Sequence, residues 1–336
     1  MTVVGPFGLS VRDQALEADV QTGLAAVEAG LLDATKSEVP FITEAARHLV
    51  LAGGKRFRPL LVMLAAQFGD PYAPGIVPSA VVVELTHLAT LYHDDVMDEA
   101  DVRRGVDSAN TRWGNSIAVL TGDFLFARAS HTLADLGPEA VRIQSEAFER
   151  LVTGQILETA GPQGDRDPVD HYLDVLGGKT GSLVAVSCRF GAMMSGADES
   201  VVDILTQYGE RLGVAFQLAD DVLDIASDSH ESGKTPGTDL REGIPTLPVL
   251  HLRAAAAAHG RPEDVELVEL VDSDLSDDAR HAEALRRLRV HPALEQARRD
   301  TVRYAEEARA MLAPLPEGYA KAALEELCDA VVHRAG

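Results

Sequence analysis

The chain has 336 residues, 46% of them hydrophobic, with 30 Lys and Arg against 53 Asp and Glu and a formal net charge of -23. That apolar content excludes a disordered chain, which lacks the apolar surface to offset its ordering entropy. That acidity excludes a general nucleic-acid binder, which needs Lys and Arg to displace counterions from phosphates. Two distant cysteines, Cys188 and Cys328, make neither a disulfide framework nor a metal spacing and fit a reducing, cytoplasmic compartment. Met1 to Ser10 has neither a basic region nor an apolar core, so no signal peptide is expected. No apolar run reaches the roughly 18 residues of a membrane helix, so no stable membrane insertion is expected.

In chain order, apolar residues recur at spacings of three and four over Ala80–Leu91, Ile117–Leu133, Ala140–Leu157 and Val201–Leu223, which predicts amphipathic and buried helices. Turn signals fall between them at Gly69-Asp70-Pro71, Gly137-Pro138, Gly161-Pro162 and Ser195-Gly196. No stretch alternates with period two, so no sheet of consequence is expected. The longest irregular stretch is Ser227–Pro245, rich in Gly, Ser, Asp and Pro, and a loop of that length is usually functional or disordered. Glu263–Asp278 holds eight acidic residues and no basic one, the composition of a solvated face. No repeat or linker divides the chain, so the expectation is one all-α domain over residues 1–336, a large helical bundle.

Two acidic constellations end apolar helical runs. In Asp94-Asp95-Val96-Met97-Asp98, Asp94 and Asp98 are one turn apart and share a face. Gln217-Leu218-Ala219-Asp220-Asp221-Val222-Leu223-Asp224 repeats the spacing with Asp220 and Asp224. Two unit charges about 4 Å apart repel by roughly 4 kcal/mol at an effective dielectric near 20. Such clusters therefore need a cation or raised pKa values, unless they lie at solvated helix ends. Carboxylate oxygens are the ligands Mg²⁺ prefers, usually one or two of them together with waters and substrate phosphates. Calcium fits less well, because the segments lack the glycine and alternating oxygen ligands of an EF-hand.

Basic residues are scarce, and their clusters stand out. Gly53-Gly54-Lys55-Arg56-Phe57-Arg58-Pro59 carries three cations and no anion. Its glycines let backbone approach a ligand closely, and Arg grips phosphate bidentately. Arg103-Arg104-Gly105 follows the first acidic motif, and Lys179-Thr180-Gly181 and Gly233-Lys234-Thr235 add single cations. With two acidic sites, this set points to one diphosphate carried on metal and a second held by Lys and Arg.

The sequence resembles the trans-isoprenyl diphosphate synthases of the polyprenyl synthetase family. The resemblance rests on Gly53–Pro59, Glu84–Gly105, Gly122–Phe126, Lys179-Thr180, Gln217–Asp224 and Gly233–Pro248, spread over about residues 41–250. It implies an isoprenoid synthase fold, with helices around a central cavity, usually as a homodimer. It implies Mg²⁺-dependent head-to-tail condensation of isopentenyl diphosphate onto an allylic diphosphate, with two or three ions per site. Asp94, Asp98, Asp220 and Asp224 would hold Mg²⁺. Arg103, Lys179, Thr180, Gln217 and Lys234 would contact the allylic diphosphate; Lys55, Arg58, His87 and Arg104 would bind isopentenyl diphosphate. Asp95 and Asp221 would have supporting or water-mediated roles. The family often has a Lys where this chain has Ile244, so weaker allylic binding is expected.

The resemblance also bears on product length, because family members stop elongation with bulky residues just before the first acidic motif. Here those positions are Ala89 and Thr90, both small, which implies a product of thirty carbons or more unless Phe124 and Phe126 form a lower floor. The alternatives are a shorter-chain farnesyl or geranylgeranyl diphosphate synthase and a non-catalytic partner subunit. The latter would typically have lost one acidic motif.

Overall fold

The computed structural model describes residues 3–4, 9–10, 13–227 and 236–335. It is almost entirely helical, as the periodicity predicts. In chain order come β1 (Val3–Val4), β2 (Leu9–Ser10), α1 (Gln14–Ala34), α2 (Pro40–Leu51), α3 (Phe57–Ala65), α4 (Ile76–Met97), β3 (Val102–Arg103), β4 (Val106–Asp107), α5 (Ala109–Trp113), α6 (Asn115–Leu136), α7 (Pro138–Ala160) and α8 (Pro168–Leu176). After a π-helical turn, Gly177–Gly181, follow α9 (Ser182–Met194), α10 (Glu199–Ala226), α11 (Thr238–Arg241), α12 (Leu247–His259), α13 (Pro262–Val271), α14 (Asp278–Arg289), α15 (Pro292–Met311) and α16 (Tyr319–Ala335). Among the described residues the strands form two antiparallel two-stranded ribbons. The stretch read as irregular contains one short helix, α11; Gly233, Lys234 and Thr235 lie outside the described residues.

The chain forms two compact units, each drawn from three stretches. The first comprises Met1–Glu149, Leu183–Gly209 and Met311–Glu326; the second comprises Arg150–Ser182, Glu210–Ala310 and Leu327–Gly336.

The first unit is built around α4. Val81–Thr86, Leu88, Ala89 and Tyr92 are all buried, so the helix is buried and largely apolar around this stretch, as a central helix must be. Polar groups anchor it: the Tyr92 hydroxyl donates to Ala45 O of α2 at 2.6 Å, and Gln144 Nε2 of α7 donates to Thr86 Oγ1 at 2.9 Å. Such buried pairs fix register, because a buried polar group left without a partner costs about 1–3 kcal/mol. Beyond α4, β3 and β4 turn back through Arg104 (φ 54°) and Gly105 (φ 77°). Positive φ at both central residues is the requirement of a tight two-residue hairpin.

In the second unit, α7 and the π-helical turn meet backbone to backbone. A Cβ at Gly154 would lie 2.7 Å from Lys179 N, and one at Gly178 would lie 2.8 Å from Arg150 O. Glycine at both positions lets the chains approach this closely.

In the first unit α9 and α3 also approach closely: a Cβ on Gly191 would sit 2.3 Å from Val62 O. Gly191→Val should therefore lower stability by about 1–3 kcal/mol, the usual cost of overpacking, read as a lower unfolding temperature. An unchanged unfolding temperature would show that α3 and α9 are not packed this closely.

Candidate active site

In the first unit, the acidic motif ends α4 as expected. Asp94 is half-buried, Asp98 is exposed at the helix end, and Asp95 is fully buried. Asp95 Oδ1 accepts from Arg103 Nε at 2.6 Å, while its buried Oδ2 has no hydrogen-bond partner. Burial raises the Asp95 carboxyl above its usual range, and Arg103 opposes that rise. Arg103, expected from the sequence to meet substrate, thus also steadies the middle aspartate of the motif.

About two turns of helix before Asp94, His87 faces a cluster of arginines. The lone acid in the apolar run of α4, Glu84, is almost completely buried. Its Oε1 accepts from Arg56 Nη1 at 2.9 Å and lies 3.9 Å from Arg104 Nη2. Arg56 is left-handed (φ 47°) at the start of α3, and its guanidinium also pairs with Glu28 of α1 and donates to Val50 O at 3.0 Å. This inward turn separates the three cations of Gly53–Pro59: Arg56 joins the core, Lys55 is exposed, and Arg58 is half-buried. The sequence reading missed Arg56 and Glu84 as a pair. The signal was a single carboxylate in an apolar helix, which must find a buried cation.

Arg58 and Arg104 complete the cluster. Arg104 donates to Leu49 O at 3.0 Å and to Gly53 O, and its guanidinium packs on Gly54, where a Cβ would lie 2.8 Å from Cζ. Arg58 Nε is buried and has no hydrogen-bond partner. Burial, together with the nearby Arg104 charge, lowers Arg58 to about 10 in spite of Glu84. Burial and then Arg58, Arg104, Arg103 and Arg56 push His87 well below its usual range, so its ring is neutral. Chemically, the cluster carries an excess of part-buried positive charge: guanidinium groups outnumber the carboxylate buried among them, and one buried N–H is unsatisfied.

Ala89 is fully buried on α4, and the Thr90 hydroxyl donates to His87 O at 2.8 Å. A Cβ on Gly122 of α6 would come within 3.1 Å of Ala89 O, so α6 passes close to this turn. Phe126 of the same helix stacks at 5.7 Å from the His93 ring; Phe124 is half-buried.

In the second unit, the second acidic motif ends α10. Asp220 Oδ1 accepts from Arg334 Nη2 of α16 at 2.6 Å, with Arg334 resting over the Phe216 ring. Asp221 Oδ1 accepts from Gln217 Nε2 at 3.2 Å, and its buried Oδ2 has no hydrogen-bond partner. Burial, followed by the charges of Asp239, Asp224 and Glu158, raises Asp221 well above the usual carboxylate range. Both oxygens of Asp224 accept backbone N–H groups, from Thr238 at 3.2 Å and Asp239 at 3.3 Å. Lys179, in the π-helical turn with Thr180, donates to Glu158 Oε2 at 2.6 Å. Ile244 lines, with Val169, Leu250 and Ala254, a largely apolar cavity of about 480 Å³, an environment unlike that needed by a phosphate-binding Lys.

The donor sets suit a hard divalent cation. They are carboxylate oxygens in one-turn pairs, beside buried Asp95 and Asp221 oxygens that have no hydrogen-bond partner. No cluster of three metal-ligating side chains occurs among the described residues.

Known proteins give the same picture. The polyprenyl synthetase family model matches residues 39–288. The nonaprenyl diphosphate synthase of Mycobacterium tuberculosis is 46% identical over 98% of this chain and 97% of its own length. A geranylgeranyl pyrophosphate synthase from Corynebacterium glutamicum, solved with calcium and isoprenyl diphosphate, superposes with a TM-score of 0.86 at 42% identity, covering 97% of this chain and 99% of that one. A decaprenyl diphosphate synthase from Rhodobacter capsulatus superposes with a TM-score of 0.86 at 35% identity, covering 96% and 99%. With the paired acidic motifs at the ends of α4 and α10 and the arginine cluster beside Glu84, these likenesses make one conclusion plain: the chain belongs to the polyprenyl synthetase family of prenyltransferases.

Proposed function

We propose that the chain condenses isopentenyl diphosphate head-to-tail with an allylic diphosphate to build a trans-polyprenyl diphosphate of thirty carbons or more. The observation that carries this reading is Arg58: a half-buried arginine whose buried Nε has no hydrogen-bond partner, beside Arg104 and a neutral His87, needs an anion to complete it. Isopentenyl diphosphate is that anion, bound by Lys55, Arg58, Arg104 and His87. The neutral imidazole can offer a hydrogen bond to a diphosphate oxygen without adding to an already crowded positive charge.

Asp94, Asp98, Asp220 and Asp224 would hold Mg²⁺, two or three ions per site, and Mg²⁺ would supply electrostatic stabilisation of the departing diphosphate. Arg103, Lys179, Thr180, Gln217 and Lys234 orient the allylic diphosphate. In the described state Arg103 and Lys179 rest on Asp95 and Glu158, so these carboxylates hold the cations in place before substrate arrives. The carbocation left by ionisation needs apolar walls that exclude water, which the buried Leu, Val and Ala side chains of α4 supply. The π bond of isopentenyl diphosphate then forms the new C–C bond to the allylic carbon, and the proton lost from the adduct passes to the released diphosphate. Missing the family's Lys at Ile244, the chain binds the allylic diphosphate more weakly.

The likeness to nonaprenyl and decaprenyl synthases supports a long product, as do the small Ala89 and Thr90. Residues 1–336 act as one catalytic domain, because each compact unit is drawn from three separate stretches of chain. We further propose a cytoplasmic homodimer. Leu120 and Val119 on α6 are 61% and 38% exposed, an apolar surface of the kind that marks a partner interface. Among the described residues no helix is long and apolar enough to cross a membrane.

Asp94→Ala should lower turnover by about 10²–10³-fold, the scale for losing one electrostatic contact in the transition state, measured with farnesyl diphosphate, labelled isopentenyl diphosphate and Mg²⁺. Near-normal turnover would refute the metal assignment. Ala89→Phe should shorten the product, read by mass spectrometry, and lower stability by about 1–3 kcal/mol because the site is fully packed. An unchanged product distribution in the folded variant would remove Ala89 from the chain-length determinants.

A further inference from the structure

The carboxylate of Asp224 is held by a turn that is itself held from a distant helix. Gly237 N donates to Asp224 O at 2.8 Å, and the amides of Thr238 and Asp239 reach the two carboxylate oxygens. Three backbone contacts thus join the 237–239 turn to the last aspartate of the second motif. The turn is not stiff by composition: Gly237 is left-handed (φ 71°), a conformation that glycine adopts freely and does not enforce.

Its other face meets α14. His281 is 4% exposed, and its Nε2 lies 2.8 Å from Gly237 O. A carbonyl only accepts, so Nε2 carries the proton. Nδ1 then accepts from Arg241 Nη2 at 3.1 Å, and the same Nη2 donates to Asp278 at 2.8 Å. One tautomer satisfies both bonds. The fit is close: a Cβ on Gly237 would lie 2.7 Å from His281 Nε2 and 2.7 Å from Leu285 Cδ2.

We propose that His281 is a positioning residue for Asp224: by donating to Gly237 O it fixes the turn whose amides set the direction of the Asp224 carboxylate toward its cation. Outer partners of this kind orient metal-binding carboxylates, and their loss costs about 10–100-fold in metal affinity. An ionised carboxylate has about four acceptor sites, so amides and a cation can share it. The inference rests on the reading of Asp224 as a metal ligand, and its test separates the two.

The test titrates Mn²⁺ into the full-length protein with inorganic diphosphate, following free Mn²⁺ by electron paramagnetic resonance. His281→Leu removes the donor; His281→Gln keeps an N–H that can reach Gly237 O. His281→Leu should weaken Mn²⁺ binding about tenfold, the lower end of the range for outer partners, and raise the Mg²⁺ concentration for half-maximal turnover equally. The KM for isopentenyl diphosphate should not move, and His281→Gln should restore near-wild-type Mn²⁺ affinity. If Asp224→Ala weakens Mn²⁺ binding while His281→Leu does not, or if Leu and Gln are equally impaired, the positioning role is overturned and the metal reading stands. If Asp224→Ala binds Mn²⁺ as the wild type does, the metal reading fails and the positioning role with it. Should His281→Leu not fold, Arg241→Ala takes its place by removing the partner of Nδ1. It should weaken Mn²⁺ binding in the same direction by less, and wild-type affinity there would overturn the proposal.

Discussion

The first unit depends on one buried carboxylate. Glu84 is fixed in the middle of α4 with apolar neighbours before and after it, and its charge is tolerable only because Arg56 donates to it and Arg104 lies within ion-pair reach. Removing one partner of such a buried pair typically costs about 3–5 kcal/mol. The pairing does more than stabilise. It draws α1, through Glu28, and the start of α3, through Arg56, onto α4. It also lets Arg58 and Arg104 remain charged away from bulk water. The carboxylate offsets part of the positive charge and leaves the rest for a ligand. A diphosphate completes a charge balance that the protein leaves unfinished.

The second unit solves the opposite problem. Its excess is negative, with Asp220, Asp221, Asp224, Asp239 and Glu158 close in chemistry and partly in space. The structure answers four of them in different ways. Asp220 meets Arg334, Asp221 meets Gln217 and has its pKa raised by burial, Asp224 meets backbone amides, and Glu158 meets Lys179. The net charge of -23 therefore says little about the substrate. What matters is the local balance at each cluster, positive around Glu84 and negative at the end of α10.

Much of this was legible in the sequence. The helices over Ala80–Leu91 and Val201–Leu223 appear as parts of α4 and α10, because their apolar spacing has one physical solution, burial in a bundle. The acidic motifs at their ends follow from the same spacing. What the sequence hid were pairings between distant residues. Gly53–Pro59 reads as three equivalent cations; only the left-handed turn at Arg56, and Glu28 on α1, send that one inward. Arg334 lies far from Asp220 in the chain, as His281 does from Gly237, and no periodicity records such contacts. The Ser227–Pro245 stretch read as irregular because it is rich in Gly, Ser, Asp and Pro, yet hydrogen bonds to Asp224 and His281 hold the turn from which α11 starts. Lys234 is beyond the described residues, and its role rests on the sequence.

The most direct test of the charge balance around Glu84 is thermal unfolding of Glu84→Gln with and without inorganic diphosphate. A ligand that binds only the folded state stabilises it by an amount set by its affinity. If the buried arginines form an anion site that Glu84 only partly neutralises, the variant should unfold at a lower temperature in anion-free buffer. Diphosphate should then raise its unfolding temperature by more than it raises that of the wild type. Equal increments in the two proteins would contradict the account.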